Sequence, residues 1–243
     1  MAKSVVTAGW EDVPHLDEQV KKELLDATPP NLRDSRSKGT PGLGAGAVWP
    51  IPVDDIKFDV GTLQIPPWWR RAYGLDVGWN NTACVFGAWD MDSDIWYIYD
   101  GFKRGQCEPE IHASAIRKRY PQGQALRGCI DPAAAGANQL DGRNLMHLYR
   151  VQEKLKLRPA DNSVEAGVTA VWSRLSTGGL KIARHLTDWF DEYGIYRRRE
   201  DGKIVKEHDH YMDATRYLMM TGHKIAKPVE SETVRNAGGR RYF

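Results

Sequence analysis

Three runs dense in β-branched and aromatic side chains follow one another with little space between them: Ala72–Val77, Ala83–Met91 and Ile95–Phe102. Such residues favour the pleated, half-buried surface of a sheet. Short turns join them, Asp92-Ser93-Asp94 among them, so the strands are antiparallel. Beyond them, helical spacing alternates with short strands. Glu108–Arg119 reads as a helix with Ile111, Ala115 and Ile116 on its buried side, and Leu126–Asp131 as a fourth strand. A helix from Arg143 to about Leu155 and a short strand at Lys156–Arg158 follow. Val164, Val168, Val171, Trp172 and Leu175 repeat at helical spacing through Val164–Ser176. Gly179–Ala183 is a strand and His185–Tyr193 a helix. Ile195–Arg199 and Lys203–Glu207 form a hairpin around Asp201-Gly202, a favoured turn pair. A last helix runs from about Tyr211 to His223. The order is β-β-β-α-β-α-β-α, a mixed α/β sheet flanked by helices.

The ends differ from this middle. A helical pattern at Leu16–Leu25 is followed by a Pro/Gly/Ser-rich stretch, Thr28–Gly46, which buries little and reads as a linker. Residues 1–50 are read as the tail of an upstream domain plus this linker, 51–225 as the main domain with its compact part starting near Trp68, and 226–243 as a flexible tail whose Glu230–Phe243 part is polar and basic. With 34 basic and 32 acidic residues the chain is nearly balanced, so any basic surface must come from local clustering, as at Arg197-Arg198-Arg199 or Arg70-Arg71. Three scattered cysteines, Cys84, Cys107 and Cys129, make neither a disulfide framework nor a CxxC knuckle, which fits a reducing cytosol. No apolar run approaches the ~20 residues that span a bilayer, and the N-terminus lacks a signal-peptide pattern.

Acids stand where these elements end. Asp76 closes the apolar run Tyr73-Gly74-Leu75-Asp76-Val77-Gly78, and Asp131 closes Gly128-Cys129-Ile130-Asp131-Pro132. His210 and Asp213, three residues apart where the last helix opens, share one helical face. Clustered carboxylates repel one another unless something positive binds them. Two-metal phosphodiester hydrolysis uses such a cluster: carboxylates hold two ions ~3.5–4 Å apart on either side of the scissile phosphate. Plainer roles exist for each acid: a strand-end turn for Asp76, a turn residue before proline for Asp131, a helix-dipole partner for Asp213. Asp141 competes as the second acid, and Asp209 adjoins the third. Gly74-x-Asp76-x-Gly78-x-x-x-Thr82 also resembles the first phosphate turn of actin-like ATPases, but no second phosphate turn, adenosine motif or Walker A sequence accompanies it, so no ATPase activity is expected.

Two acids on strands and one on a late helix, in this element order, resemble the RNase H-like fold. More specifically, the chain resembles the C-terminal nuclease domain of the large terminase subunit of tailed bacteriophages. The matches are Tyr73–Gly78, Ile130-Asp131-Pro132-Ala133, Pro159–Gly167 and, most specific, Gly202–Tyr217 with its His208-Asp209-His210-Tyr211-Met212-Asp213 core. Trp10-Glu11-Asp12-Val13-Pro14-His15-Leu16 is similar to the segment that closes the ATPase half of those subunits. The resemblance implies an acidic triad at Asp76, Asp131 and Asp213, a metal-neighbour histidine at His210, and two Mg²⁺ or Mn²⁺ ions, which suit an all-oxygen site. Some members carry Glu at the second acid, where this chain has the shorter Asp131. It further implies a metal-dependent endonuclease that cuts concatemeric viral double-stranded DNA in the host bacterial cytoplasm. Its implied partners are an ATPase domain of the same polypeptide, a portal protein and a small terminase subunit, with no membrane. Rival readings are a Holliday-junction resolvase or transposase-like nuclease, and a non-catalytic DNA- or portal-docking module. Arg197, Arg198, Arg199, Lys203 and Lys206 on the hairpin are the expected DNA clamp.

Overall fold

The computed structural model describes residues 8–26, 37–38, 46–136, 144–199 and 201–229. After a two-residue β1 (Lys57–Phe58), the three consecutive strand-forming runs become β2 (Arg70–Asp76), β3 (Thr82–Asp90) and β4 (Ile95–Arg104). They pair antiparallel, from Arg70↔Trp89 to Asp76↔Ala83 and from Thr82↔Arg104 to Asp90↔Ile95. β5 (Arg127–Ile130) adds parallel to β2, and β6 (Lys156–Pro159) parallel to β5. β7 (Leu180–Ala183) adds parallel to the far side of β4, with β1 beyond it. The seven-stranded order is β1-β7-β4-β3-β2-β5-β6. Antiparallel neighbours come from the short turns, and parallel ones from the helical crossovers.

The helices are α1 (Glu18–Asp26), α2 (Val53–Ile56), α3 (Pro109–Arg117), α4 (Leu145–His147), α5 (Val164–Ser176), α6 (Thr187–Ile195) and α7 (His210–Ile225). Side chains alternate across the sheet, so each strand feeds two cores. Ala72, Val85 and Cys129 pack with α5, α6 and α7 on one face. Tyr73, Leu75, Phe86 and Ile130 pack with α3 and α4 on the other. α7 lies against β2, β3 and β5, and its approach to β2 is backbone on backbone. A Cβ built on Gly74 would fall on the Ala214 carbonyl oxygen.

The structure corrects several expectations. α3 is rotated from its expected face: His112, Ala113 and Ile116 are buried while Ile111 is 43% exposed. The cause is polar, since His112 Nδ1 meets the Tyr149 hydroxyl at 2.8 Å inside the core. Trp172 likewise points outward despite its helical spacing. The helix expected over 143–155 is only α4 followed by a π-helical turn, Leu148–Gln152. The packed unit starts earlier than Trp68, which is itself exposed. Val48 and Trp49 are core residues, and the Trp49 indole donates to the Val168 carbonyl at 3.0 Å. At the other end Ala226 and Val229 are buried, and Lys227 pairs with Arg71, so residues 226–229 belong to the packed unit. The hairpin survives as a single bridge, Arg198↔Ile204, turning through Gly202 at φ +80°. Asp141, nearly all of Thr28–Gly46 and the stretch Glu230–Phe243 lie outside the described residues. Among the described residues, no helix is long and apolar enough to cross a membrane.

Gly74→Ala should therefore force α7 off β2 and cost about 1–3 kcal/mol or more, read by chemical denaturation. Gly61→Ala, where a Cβ meets nothing within 4 Å, is the control. Equal stability of the two variants would show that helix and strand are not in close contact.

Candidate active site

β2 and β5 are adjacent and parallel, so their C-terminal ends lie together. Asp76 is the last residue of β2, and Asp131 follows β5, its N–H donating to the Leu75 carbonyl at 3.1 Å. The first turn of α7 brings His210 and Asp213 to the same place. His210 Nδ1 and Asp76 Oδ2 are 2.9 Å apart, which ties helix to strand. The turn is pinned from behind by Glu192 on α6, which is almost wholly buried. One of its oxygens accepts from the Tyr211 N–H at 2.6 Å, satisfying a donor that a helix start leaves unpaired. The other accepts from Lys103 Nζ at 2.7 Å.

Asp213 is engaged on both oxygens. Oδ1 accepts from Arg216 Nε at 3.1 Å and Nη2 at 2.8 Å, and Oδ2 from Lys206 Nζ at 3.0 Å. Arg216 is fully buried, a position a guanidinium holds only when paired. Lys206 Nζ also stands 3.1 Å from Asp209 Oδ2, so one ammonium bridges two acids. Asp131 Oδ1 accepts from the Ala133 N–H at 3.0 Å, capping a short 3₁₀ turn.

The charges of the three acids act on one another. Burial pushes the Asp76 carboxyl up to about 6. The His210 hydrogen bond pulls it down, while the negative charges of Asp213 and Asp131 push it up. Tyr217 is raised first by burial and then by the charges of Asp213, Asp76 and Asp131. His210 is raised, chiefly by its bond to Asp76.

These hard oxygen donors match a divalent cation in chemistry, while Lys206 and Arg216 already compensate Asp213. Their placement is not yet that of a ligand shell: among the described residues, no group of three or more His, Cys, Asp or Glu is arranged to hold an ion. Lys206 and Arg216 bond the two oxygens of Asp213, and the Ala133 N–H bonds one oxygen of Asp131. Asp76, Asp131 and Asp213 are the residues that could hold such an ion.

The expected DNA clamp is partly spoken for. Arg198 makes a two-pronged pair with Glu165 at 2.6 and 2.9 Å, and Arg199 pairs with Asp201 at 2.9 Å. Lys206 turns into the acid cluster, leaving Arg197 and Lys203 exposed and without an acidic partner among the described residues. Sequence reasoning missed Arg216, Glu192, Lys103 and Tyr217. Arg216 was findable, because it lies three residues from Asp213 on the same helix. The Lys103–Glu192 pair joins residues 89 apart and left no local signal.

A sheet centred on three antiparallel strands, extended by parallel crossovers and carrying acids at the ends of β2 and β5 and on the crossing helix, defines an RNase H-like domain. The chain belongs to the Terminase RNaseH-like domain family, whose model matches residues 73–221. It is 25% identical over 223 residues to the large terminase subunits of Enterobacteria phage LP7 and Salmonella phage P22. Those alignments cover 90% of this chain but only 46% and 44% of the relatives, so the chain spans less than half of their length. Among solved structures, the nuclease domain of the P22 large terminase superposes with a TM-score of 0.67 at 23% identity, covering 77% of this chain and 97% of that one. The large terminase of a thermophilic bacteriophage gives 0.61 at 21% identity, over 87% of this chain and 54% of that one. The Mn-bound large terminase nuclease domain of bacteriophage SPP1 gives 0.53 at 16% identity, over 72% and 99%.

In the metal-free protein, a carboxyl raised to about 6 favours the folded state while protonated. That contribution is complete below the ordinary Asp range and is lost as pH rises through about 6; His210, also raised, acts with the same sign. Unfolding in chelator should thus show wild type losing stability relative to Asp76→Asn between roughly pH 4 and pH 7. A pH-independent difference would mean that Asp76 is not held in this environment.

Proposed function

We propose that this chain is the nuclease part of a large terminase, a metal-dependent endonuclease that cuts concatemeric viral double-stranded DNA during genome packaging. The observation that carries the reading is that adjacent β2 and β5 and the first turn of α7 bring Asp76, Asp131 and Asp213 to the same end of the sheet, with His210 Nδ1 2.9 Å from Asp76 Oδ2. A purely structural cluster gains nothing from repulsion among its acids.

Asp76, Asp131 and Asp213 would hold the ions, and His210 orients Asp76 through Nδ1. Two Mg²⁺ or Mn²⁺ ions there would supply Lewis-acid activation of water and charge compensation at the leaving oxygen. Glu192 keeps the first turn of α7 in place by accepting from Tyr211 N–H. Nuclease domains of this fold have been solved with bound Mn, from SPP1, and with bound cobalt, from phage G20c, which supports divalent metal use. Phosphate contacts suit a nuclease that must cut many sequences. The exposed Arg197 and Lys203 serve that role directly, and Arg198 and Arg199 by exchanging surface carboxylates for phosphates. The partners are an ATPase domain of the same polypeptide, a portal protein and a small terminase subunit, in the host bacterial cytoplasm. The large terminase of the thermophilic bacteriophage, solved in complex with ADP and covered by this chain over 53% of its length, supports a longer parent polypeptide.

Asp76→Asn should abolish Mn²⁺-dependent plasmid nicking while the chain stays folded. Mn²⁺ should raise the wild-type melting temperature by neutralising the acids, and an Asp76→Asn/Asp213→Asn variant should lose that shift. Full nicking by the folded single variant would overturn the assignment, and an undiminished shift in the double variant would put the metal elsewhere. Absence of any nicking by wild type would favour a non-catalytic docking module.

Alanine at Arg197, Arg198 and Arg199 together should weaken binding to all duplex sequences alike. It should flatten the log–log salt slope by about 0.9 for each phosphate that is no longer neutralised, with cleavage at saturating DNA retained. An unchanged slope would exclude the hairpin as a clamp.

A further inference from the structure

Lys156 and Arg158 alternate along one strand, and strand register brings Arg127, 29 residues before Lys156, beside them. Arg127 is the direct partner of Lys156, and Cys129 of Arg158. Cys129 packs into the α7-side core while Ile130 and Leu157 enter the opposite one. Alternation therefore puts Arg127, Lys156 and Arg158 on the same sheet face as Asp131. All three are exposed.

Two adjoining clefts open over this edge. One, about 320 Å³, is lined by Arg127, Lys156, Leu157, Arg158 and Ile225 at the end of α7. The other, about 400 Å³, shares Arg127 and Lys156 and adds Arg71 and Lys227. Among the described residues, no Asp or Glu lines either cleft. Arg71 is turned to the Ile65 and Pro66 carbonyls. Arg127, Lys156, Arg158 and Lys227 have no acidic partner among the described residues, whereas Arg198, Arg199 and Lys206 on the hairpin are all ion-paired. In a chain whose formal charge is only +2, this is a concentrated patch of uncompensated cations. Charged side chains also protect edge strands from pairing, but that purpose is met by single charges pointing outward and not by several converging over shared clefts.

We infer that the β5–β6 edge is a second phosphate-binding strip, which holds the backbone of duplex DNA as it leaves the carboxylates. The inference rests on the nuclease reading above. Arg127 and Asp131 are four residues apart, about 13 Å along an extended strand. That is roughly four base steps of duplex at about 3.4 Å each, so the strip meets phosphates a few nucleotides from the cut. Guanidinium forks at Arg127 and Arg158 can take phosphate oxygens in pairs, with Lys156 as a point charge between them.

The experiment uses the 243-residue chain carrying Arg127→Ala, Lys156→Ala and Arg158→Ala together, with an Arg127→Lys/Arg158→Lys variant for rescue. Thermal unfolding checks the fold. On a duplex of mixed sequence, the salt slope of the triple variant should fall by about 1.8–2.7, as two or three phosphates go unneutralised. Hydroxyl-radical protection should recede on one side of the cut only, and the lysine variant should restore most of both. Mn²⁺-dependent cutting at saturating DNA should persist. A triple variant with the parent's slope and footprint overturns the inference and marks the strip as a seat for an acidic protein surface, while the nuclease assignment stands. Loss of binding without any cutting by the parent chain would instead sink the nuclease assignment and leave the strip as a DNA site.

Discussion

The contact on which the rest depends is that of two backbones, α7 lying directly on β2 where Gly74 meets the Ala214 carbonyl. No side chain fits between them. That closeness puts the first turn of α7 within hydrogen-bonding reach of the end of β2, so that His210 touches Asp76. A helix resting on ordinary side chains would stand about 10 Å from the sheet, too far for a short imidazole and carboxylate to meet. The lateral position of α7 is set separately, by Glu192 accepting from Tyr211 N–H and by Trp189 Nε1 donating to Thr215 Oγ1 at 2.9 Å. Depth comes from a glycine and azimuth from α6.

The charges that gather there are managed with the chain's own cations. Buried Arg216 fixes one oxygen of Asp213, and Lys206 spans the other and Asp209. The two cations are not equivalent. Arg216 is fully buried, and removing its partner would strand a charge in the core. The Lys206 side chain is 55% exposed and bridges two buried acids, Asp209 and Asp213. One counter-ion of Asp213 is thus enclosed in the core, while the other reaches it from the surface. Asp76 has only the half-buried His210 for compensation and bears the raised pKa.

Legibility followed the range of the interactions. The three antiparallel strands and α5 could be read because their signals lie within a dozen residues. That Asp76 and Asp131 stand at strand ends and His210-x-x-Asp213 opens the last helix could be read because each borders an apolar run. The face of α3 was misread because periodicity weighs Ile111 above His112, while the histidine finds a core partner in the Tyr149 hydroxyl, 37 residues away. The start of the packed unit was misread for the same reason, since Trp49 is held by Val168 and Tyr193.

The same distinction governs the basic surface. Arg197-Arg198-Arg199 looks like a patch in the sequence, but Arg198 pairs with distant Glu165 and Arg199 with nearby Asp201. Arg127 looks like an isolated charge, and folding sets it beside Lys156 and Arg158 with no acid next to them among the described residues. A linear run of arginines measures charge density along the chain, whereas a polyanion responds to density on the surface after internal pairing. In a nearly neutral protein the two can be opposite, because the long-range contacts that build the sheet also decide which cations remain free.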